Sequence, residues 1–162
     1  MSSRRGTLLR MAPSSFPREL PPLWLLVSLS AMLGLHFAWP IGRWLAPPWT
    51  HAGWPLLVVA AVLSGSSARR FLRVGTGVRP FTPATALVGG GAYRFTRNPM
   101  YVGLVGVTVG VAVVLGTIAP AVVPLLFFAL LDRRFVRAEE VFLRQRFGDD
   151  YDQYCRRVRR WL

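Results

Sequence analysis

Two adjacent carboxylates, Glu139 and Glu140, stand in the stretch RFVRAEEVFLRQRFG, residues 134–148, and its residue order gives them opposite surroundings. On a helix, residues three and four apart share a face. Glu140 then has Arg137 at i−3 and Arg144 at i+4, a pairing that a surface ion-pair ladder explains. Glu139 has Phe135, Val136, Phe142 and Leu143 in the same relation, which sets a carboxylate into an apolar stripe. A buried carboxylate is costly unless a positive group faces it. That group is either an arginine of this chain, Arg94 or Arg97, or a cationic cofactor or substrate.

The second polar constellation is YRFTRNPMYVG, residues 93–103, placed directly before a long uncharged run. Asn98 suits a helix N-cap and Pro99 the first helical position, so a helix starting here aims its first N–H groups outward at a ligand. Arg94 and Arg97 are placed to orient an anionic head group. Tyr101 or Glu140 is a candidate proton acceptor for a neutral amine. Other groups carry less. Gly75-Thr76-Gly77 and Gly89-Gly90-Gly91 allow close backbone approach, but no strand precedes either and no GxGxxG is completed. His36 and His51 have no cysteine or acidic companion at ligand spacing, so no metal site is expected. Cys155 has no second cysteine to pair with.

These groups need elements to position them. Of 162 residues 52% are hydrophobic, and mean hydropathy is +0.38, a composition that points to a membrane. All 20 basic residues are arginine, against 7 acids, for a net charge of +13. The arginines fall between apolar segments instead of clustering on one module, which argues against nucleic acid as a partner and for the bilayer. Residues 1–20 read as a basic arm and 21–162 as one domain. Apolar runs extend from Leu23 to about Leu45, with Pro40 and Arg43 as interruptions, and from Trp54 to about Ala68, where SGSSA offers small residues for close helix packing. Met100 to Leu131 would be roughly 48 Å of helix, too long for one crossing of a core of about 30 Å. Gly116, Thr117 and Pro120 mark a hairpin turn at its middle.

The expected architecture is therefore all-α, a membrane bundle of about four spans whose third and fourth form a hairpin, with a cytoplasmic C-terminal helix. Arginines before, between and after the spans number 4, 1, 6, 0 and 9, an alternation that puts both termini in the cytoplasm. The hairpin returns Glu139 to the depth of Asn98 or a turn beyond.

In order, Leu87-Val88, Gly91, Tyr93-Arg94, Arg97-Asn98-Pro99-Met100-Tyr101 and Gly103, then Glu139-Glu140, Leu143, Phe147-Gly148, Tyr151, Tyr154 and Val158, resemble the motifs of the isoprenylcysteine carboxyl methyltransferase and phospholipid methyltransferase group of membrane enzymes. The resemblance covers residues 72–162. It implies S-adenosylmethionine as cofactor and a lipophilic or lipid-linked acceptor, with Leu87, Val88, Tyr93, Asn98, Pro99, Met100, Tyr101 and Glu139 as cofactor contacts and Glu140 beside them. Gly75 and Gly77 match a GxG of the phospholipid members. Two positions depart from the prenylcysteine members: Asn98 stands where they carry histidine, and Phe135 where they carry a substrate arginine, with Arg134 and Arg137 the nearest replacements. Amine nitrogen, carboxylate oxygen and thiol all stay open as acceptors. The rival readings are an NADPH-dependent membrane reductase of the sterol type and a non-catalytic lipid-binding scaffold in which Glu139 closes a salt bridge. Exclusive use of arginine fits a GC-rich bacterial genome and hence the plasma membrane.

Overall fold

The computed structural model describes residues 20–73 and 90–162; Leu87, Val88, Gly75, Gly77, Gly89 and the basic arm up to residue 19 lie outside the described residues. Among the described residues every regular element is a helix. Helix α1, Pro21–Ala38, opens with proline in its first turn and stops before Pro40, where a proline ring and missing N–H forbid continuation. The first apolar run is thus helical over a shorter stretch than its composition suggested. A 3₁₀ turn, Trp49–Ala52, leads into α2, Gly53–Arg73, which carries the helix past the small-residue stretch as far as the arginines.

Helix α3, Pro99–Leu115, ends at Gly116, whose φ of 63° lies in the left-handed region. A Cβ there would also meet the Leu45 carbonyl oxygen at 2.6 Å, so glycine is required twice over. The chain reverses through Thr117 into the short α4, Ile118–Ala121, and then α5, Val123–Leu131, as the Gly-Thr-x-x-Pro cluster predicted. The far loop seals this hairpin: the Trp44 and Leu45 amides donate to the Gly116 carbonyl at 3.1 and 3.3 Å. His36 pairs its Nδ1 with Thr117 Oγ1 at 2.9 Å.

From α5 the helical path continues without a turn through a π-helical stretch, Asp132–Val136, into α6, Arg137–Phe147. Gly148, with φ of 53°, breaks it, and α7, Asp149–Arg157, folds back. α2 and α3 pack face to face through glycines: an added Cβ on Gly103 would lie 2.6 Å from Ser64 Cβ, and one on Gly106 2.9 Å from Ala60 Cβ. Removing side chains lets the backbones approach, which is how helices associate where water offers no driving force between them. Helices α1, α3 and α5 enclose the principal core of Tyr101, Leu104, Phe127, Leu131, Phe135 and Val136, with Trp24 and Leu25 of α1 against it.

The outer faces are as apolar as the inner ones. Leu23, Leu26 and Val27 of α1, Val58, Val59 and Val62 of α2, and Leu125 and Leu126 of α5 are all exposed. Two helical segments, Pro21–Ala38 and Trp49–Arg70, are long and apolar enough to cross a membrane, and α3 is a shorter apolar helix of 17 residues.

Candidate active site

The hairpin brings Glu139 to the start of α3, where the Tyr101 hydroxyl donates to Glu139 Oε1 at 2.8 Å. Tyr101 sits almost wholly buried on Phe135, the ring centroids 6.4 Å apart. Glu139 keeps partial access at its surface but is ringed by protein, and this burial pushes its carboxyl up to about 7 against the hydrogen bond from Tyr101. Tyr93 is buried in the 3₁₀ turn Gly91–Arg94 just ahead of α3. Burial, and then the field of Glu139, hold its hydroxyl above the ordinary tyrosine range. Of the apolar neighbours anticipated for Glu139, Phe135 and Val136 are buried in the core and Phe142 and Leu143 are half-buried. Among the described residues no guanidinium pairs with Glu139; Arg94, one of the expected partners, is exposed.

Arg97, the other, belongs to Glu140. Its Nη1 lies 3.1 Å from Glu140 Oε1, and it also donates to Cys155 Sγ at 2.7 Å. Arg160 completes the arrangement, Nε donating to Oε1 at 2.9 Å and Nη2 to Oε2 at 2.5 Å. The surface ladder expected for Glu140 is thus corrected: the residue is buried, and its partners come from the segments before α3 and after α7. The two arginines at helical spacing are engaged elsewhere, Arg137 with Asp132 and Arg144 with Asp152, each at 2.8 Å. The segment before α3 and the residues after α7 supply the charges that reach Glu140, Arg97 and Arg160. Both oxygens of Glu140 are held by guanidinium groups, so it does not stand as a proton acceptor, and Arg97 is not at hand for a substrate head group.

Asn98 holds the N-cap position of α3 and Pro99 the first turn, as expected, but the Asn98 side chain does not cap. Its Nδ2 donates to the Arg160 carbonyl at 2.9 Å, and its own amide donates to Thr96 Oγ1 at 3.2 Å. Thr96 Oγ1 in turn donates to the Arg160 carbonyl at 3.1 Å. The Nδ2 group is anchored by a carbonyl that reaches the turn from another part of the chain, and the side-chain oxygen makes no cap bond. Met100 packs half-buried against the principal core. Tyr154 donates to the Tyr93 carbonyl at 2.8 Å, which ties α7 to the segment ahead of α3, and Tyr151 is fully buried beside Tyr154. Phe135 is a core residue, Arg134 lies over the Trp24 ring at 5.6 Å, and Arg137 is taken by Asp132.

Residue-pattern reasoning missed Thr96, Asp132, Arg160 and Trp161. An aspartate opening an arginine-rich stretch at the end of an apolar run was the one available signal; a carbonyl as hydrogen-bond acceptor leaves none.

In comparison with known proteins, residues 49–150 match the profile of a family described as phospholipid methyltransferase. No curated protein and no solved structure matches the chain.

Proposed function

We propose that this chain, which belongs to the phospholipid methyltransferase family, transfers the methyl group of S-adenosylmethionine to a lipid or lipid-linked acceptor at the cytoplasmic face of a membrane. Family membership carries methyltransferase activity on lipid-like substrates and association with membranes.

The observation that carries the reading is the contrast between neighbours. Glu140 is satisfied by Arg97 and Arg160, while Glu139, partly buried, has a tyrosine hydroxyl and no guanidinium among the described residues. A carboxylate so placed favours a cationic ligand. The scaffold reading needs Glu139 to close a salt bridge, and the described residues do not supply one.

The donor set fits S-adenosylmethionine, which carries a sulfonium and an ammonium group and supplies an electrophilic methyl when bound. Glu139 would offset that positive charge, and Tyr101 fixes the carboxylate's orientation by its hydrogen bond. Tyr93 and Met100, with Leu87 and Val88 by resemblance, would wall the remainder. No enzyme nucleophile is needed, because alignment and exclusion of water do most of the work in such a displacement. Arg94, exposed beside this turn, would orient an anionic lipid head. α1, α2, α3 and the α5 arm would be four crossings, with the arginine-rich segments and both termini on the cytoplasmic side of a bacterial plasma membrane.

Calorimetric titration of the detergent-purified protein with S-adenosylmethionine, and separately NADPH, tests the reading. Saturable binding of S-adenosylmethionine that Glu139→Ala removes, in a variant that melts as wild type does, is the expected result. Binding of NADPH alone would move the chain to the reductases, and unchanged affinity in Glu139→Ala would end the assignment of that residue.

A further inference from the structure

We propose that Arg159, Arg160 and Trp161 form a strap that positions the cofactor site, with Arg160 as its principal positioning residue; this rests on the methyltransferase reading above. None of the three belongs to the expected cofactor contacts, yet Arg159 and Arg160 bond to segments that carry them and Trp161 to the stretch that leads into α6.

The strap engages the turn ahead of α3 through backbone. The Arg97 amide donates to the Arg159 carbonyl at 2.8 Å, and residues 96 and 159 form a parallel bridge. The Arg160 carbonyl then receives two donors, Thr96 Oγ1 at 3.1 Å and Asn98 Nδ2 at 2.9 Å. The Asn98 side chain is anchored on this carbonyl by its Nδ2 and makes no cap bond to α3, and Thr96 is anchored on the same carbonyl. The segment that leads into α3, two residues ahead of Tyr101, is thereby anchored to the strap.

The same residues grip the other half of the site. The Arg160 side chain holds both oxygens of Glu140, the residue next to Glu139, in the two-point geometry that guanidinium groups adopt with carboxylates. Trp161 donates to Asp132 Oδ1 at 3.2 Å, at the first residue of the π-helical stretch, and stacks on Phe128 of α5 with ring centroids 4.7 Å apart. One three-residue segment thus bonds the start of α3, the start of α6 and the end of α5. The Tyr101–Glu139 hydrogen bond spans two of those elements, so its length depends on how they are held together. Displacement of a binding group by about 1 Å is enough to cost on the order of a hundredfold in function.

Wild type, Arg160→Ala, Arg160→Lys and Trp161→Phe, purified in detergent, are compared by titration with S-adenosylmethionine and by deuterium exchange of the peptide covering residues 93–102. Arg144→Ala, which breaks the exposed pair between Arg144 of α6 and Asp152 of α7, is the control. Arg160→Ala is expected to weaken binding about tenfold, a smaller displacement than the full one above, and to speed exchange across 96–102. Arg160→Lys keeps the charge but cannot span both oxygens, and restores part of each effect. Trp161→Phe, which keeps the stack and loses the N–H, moves both readouts in the same direction by less. Arg144→Ala leaves both at wild-type values. Should Arg160→Ala fail to fold, the lysine and phenylalanine variants decide by the same readouts. Wild-type affinity and exchange in the folded strap variants overturn the proposal, as does an equal loss in the Arg144→Ala control. A wild type that binds no S-adenosylmethionine overturns the functional reading instead, while exchange, which needs no ligand, still decides the strap.

Discussion

At the scale of single residues, the two glutamates share a peptide bond and meet opposite electrostatics. Glu140 faces two guanidinium groups; Glu139 meets a tyrosine hydroxyl and, among the described residues, no guanidinium. Burial raises the Glu139 carboxyl from 4.5 to about 7, so the folded chain takes up a proton there that the unfolded chain releases. Without ligand, stability contributed at this site falls as pH rises from about 4.5 to about 7. A cationic ligand needs the ionised form. Affinity for S-adenosylmethionine is therefore expected to rise through pH 6 to 8, with up to one proton released on binding near pH 6; calorimetry in two buffers of different ionisation enthalpy measures it. Glu139→Gln should bind at least about tenfold more weakly at pH 8, show no such pH dependence, and melt no lower than wild type at neutral pH. A function-bearing buried carboxylate is a cost to the unliganded fold.

At the scale of elements, the α2–α3 contact is where backbone proximity is decided. Gly103 leaves no space for a side chain, its ideal Cβ lying 2.7 Å from both the Ala60 carbonyl oxygen and the Ser64 amide nitrogen. Gly103→Val is expected to destabilise the protein by about 1–3 kcal/mol through overpacking, seen as a lower melting temperature in detergent. Because Gly103 is two residues from Tyr101, binding should weaken as well. Gly34 of α1, with nothing near its Cβ position, is the comparison: Gly34→Ala should leave the melting temperature unchanged or raise it. The π-helical stretch acts between elements. It joins α5 to α6, with Phe135 and Val136 in the core and Glu139 just beyond it bonded to Tyr101.

At the scale of the whole molecule, large apolar side chains of α1, α2 and α5 are exposed, and the described acidic residues all fall between Asp132 and Asp152. Trp39, Trp44, Trp49 and Trp54 are all exposed, a composition that suits a membrane interface. With Cys155 replaced by serine, a membrane-impermeant maleimide added to intact cells is expected to label His51→Cys and to spare Gln145→Cys until the membrane is opened. The reverse pattern, or equal labelling of both, would contradict the proposed orientation.

Helix content, the hairpin at Gly116, the apolar surroundings of Glu139 and the family motifs were all legible from the chain. Each depends on residues near one another along it: periodicity, a glycine near a proline, spacing of three and four. The partners of Glu140, the diversion of the Asn98 side chain from its cap and the strap of Arg159 to Trp161 were not. They depend on which segment α7 carries back across the α3 start, and on a backbone carbonyl that every residue possesses alike. Local pattern specifies which face of a helix is apolar and where it must end. Which of several arginines reaches a given carboxylate is a question of distance, answered when the bundle closes.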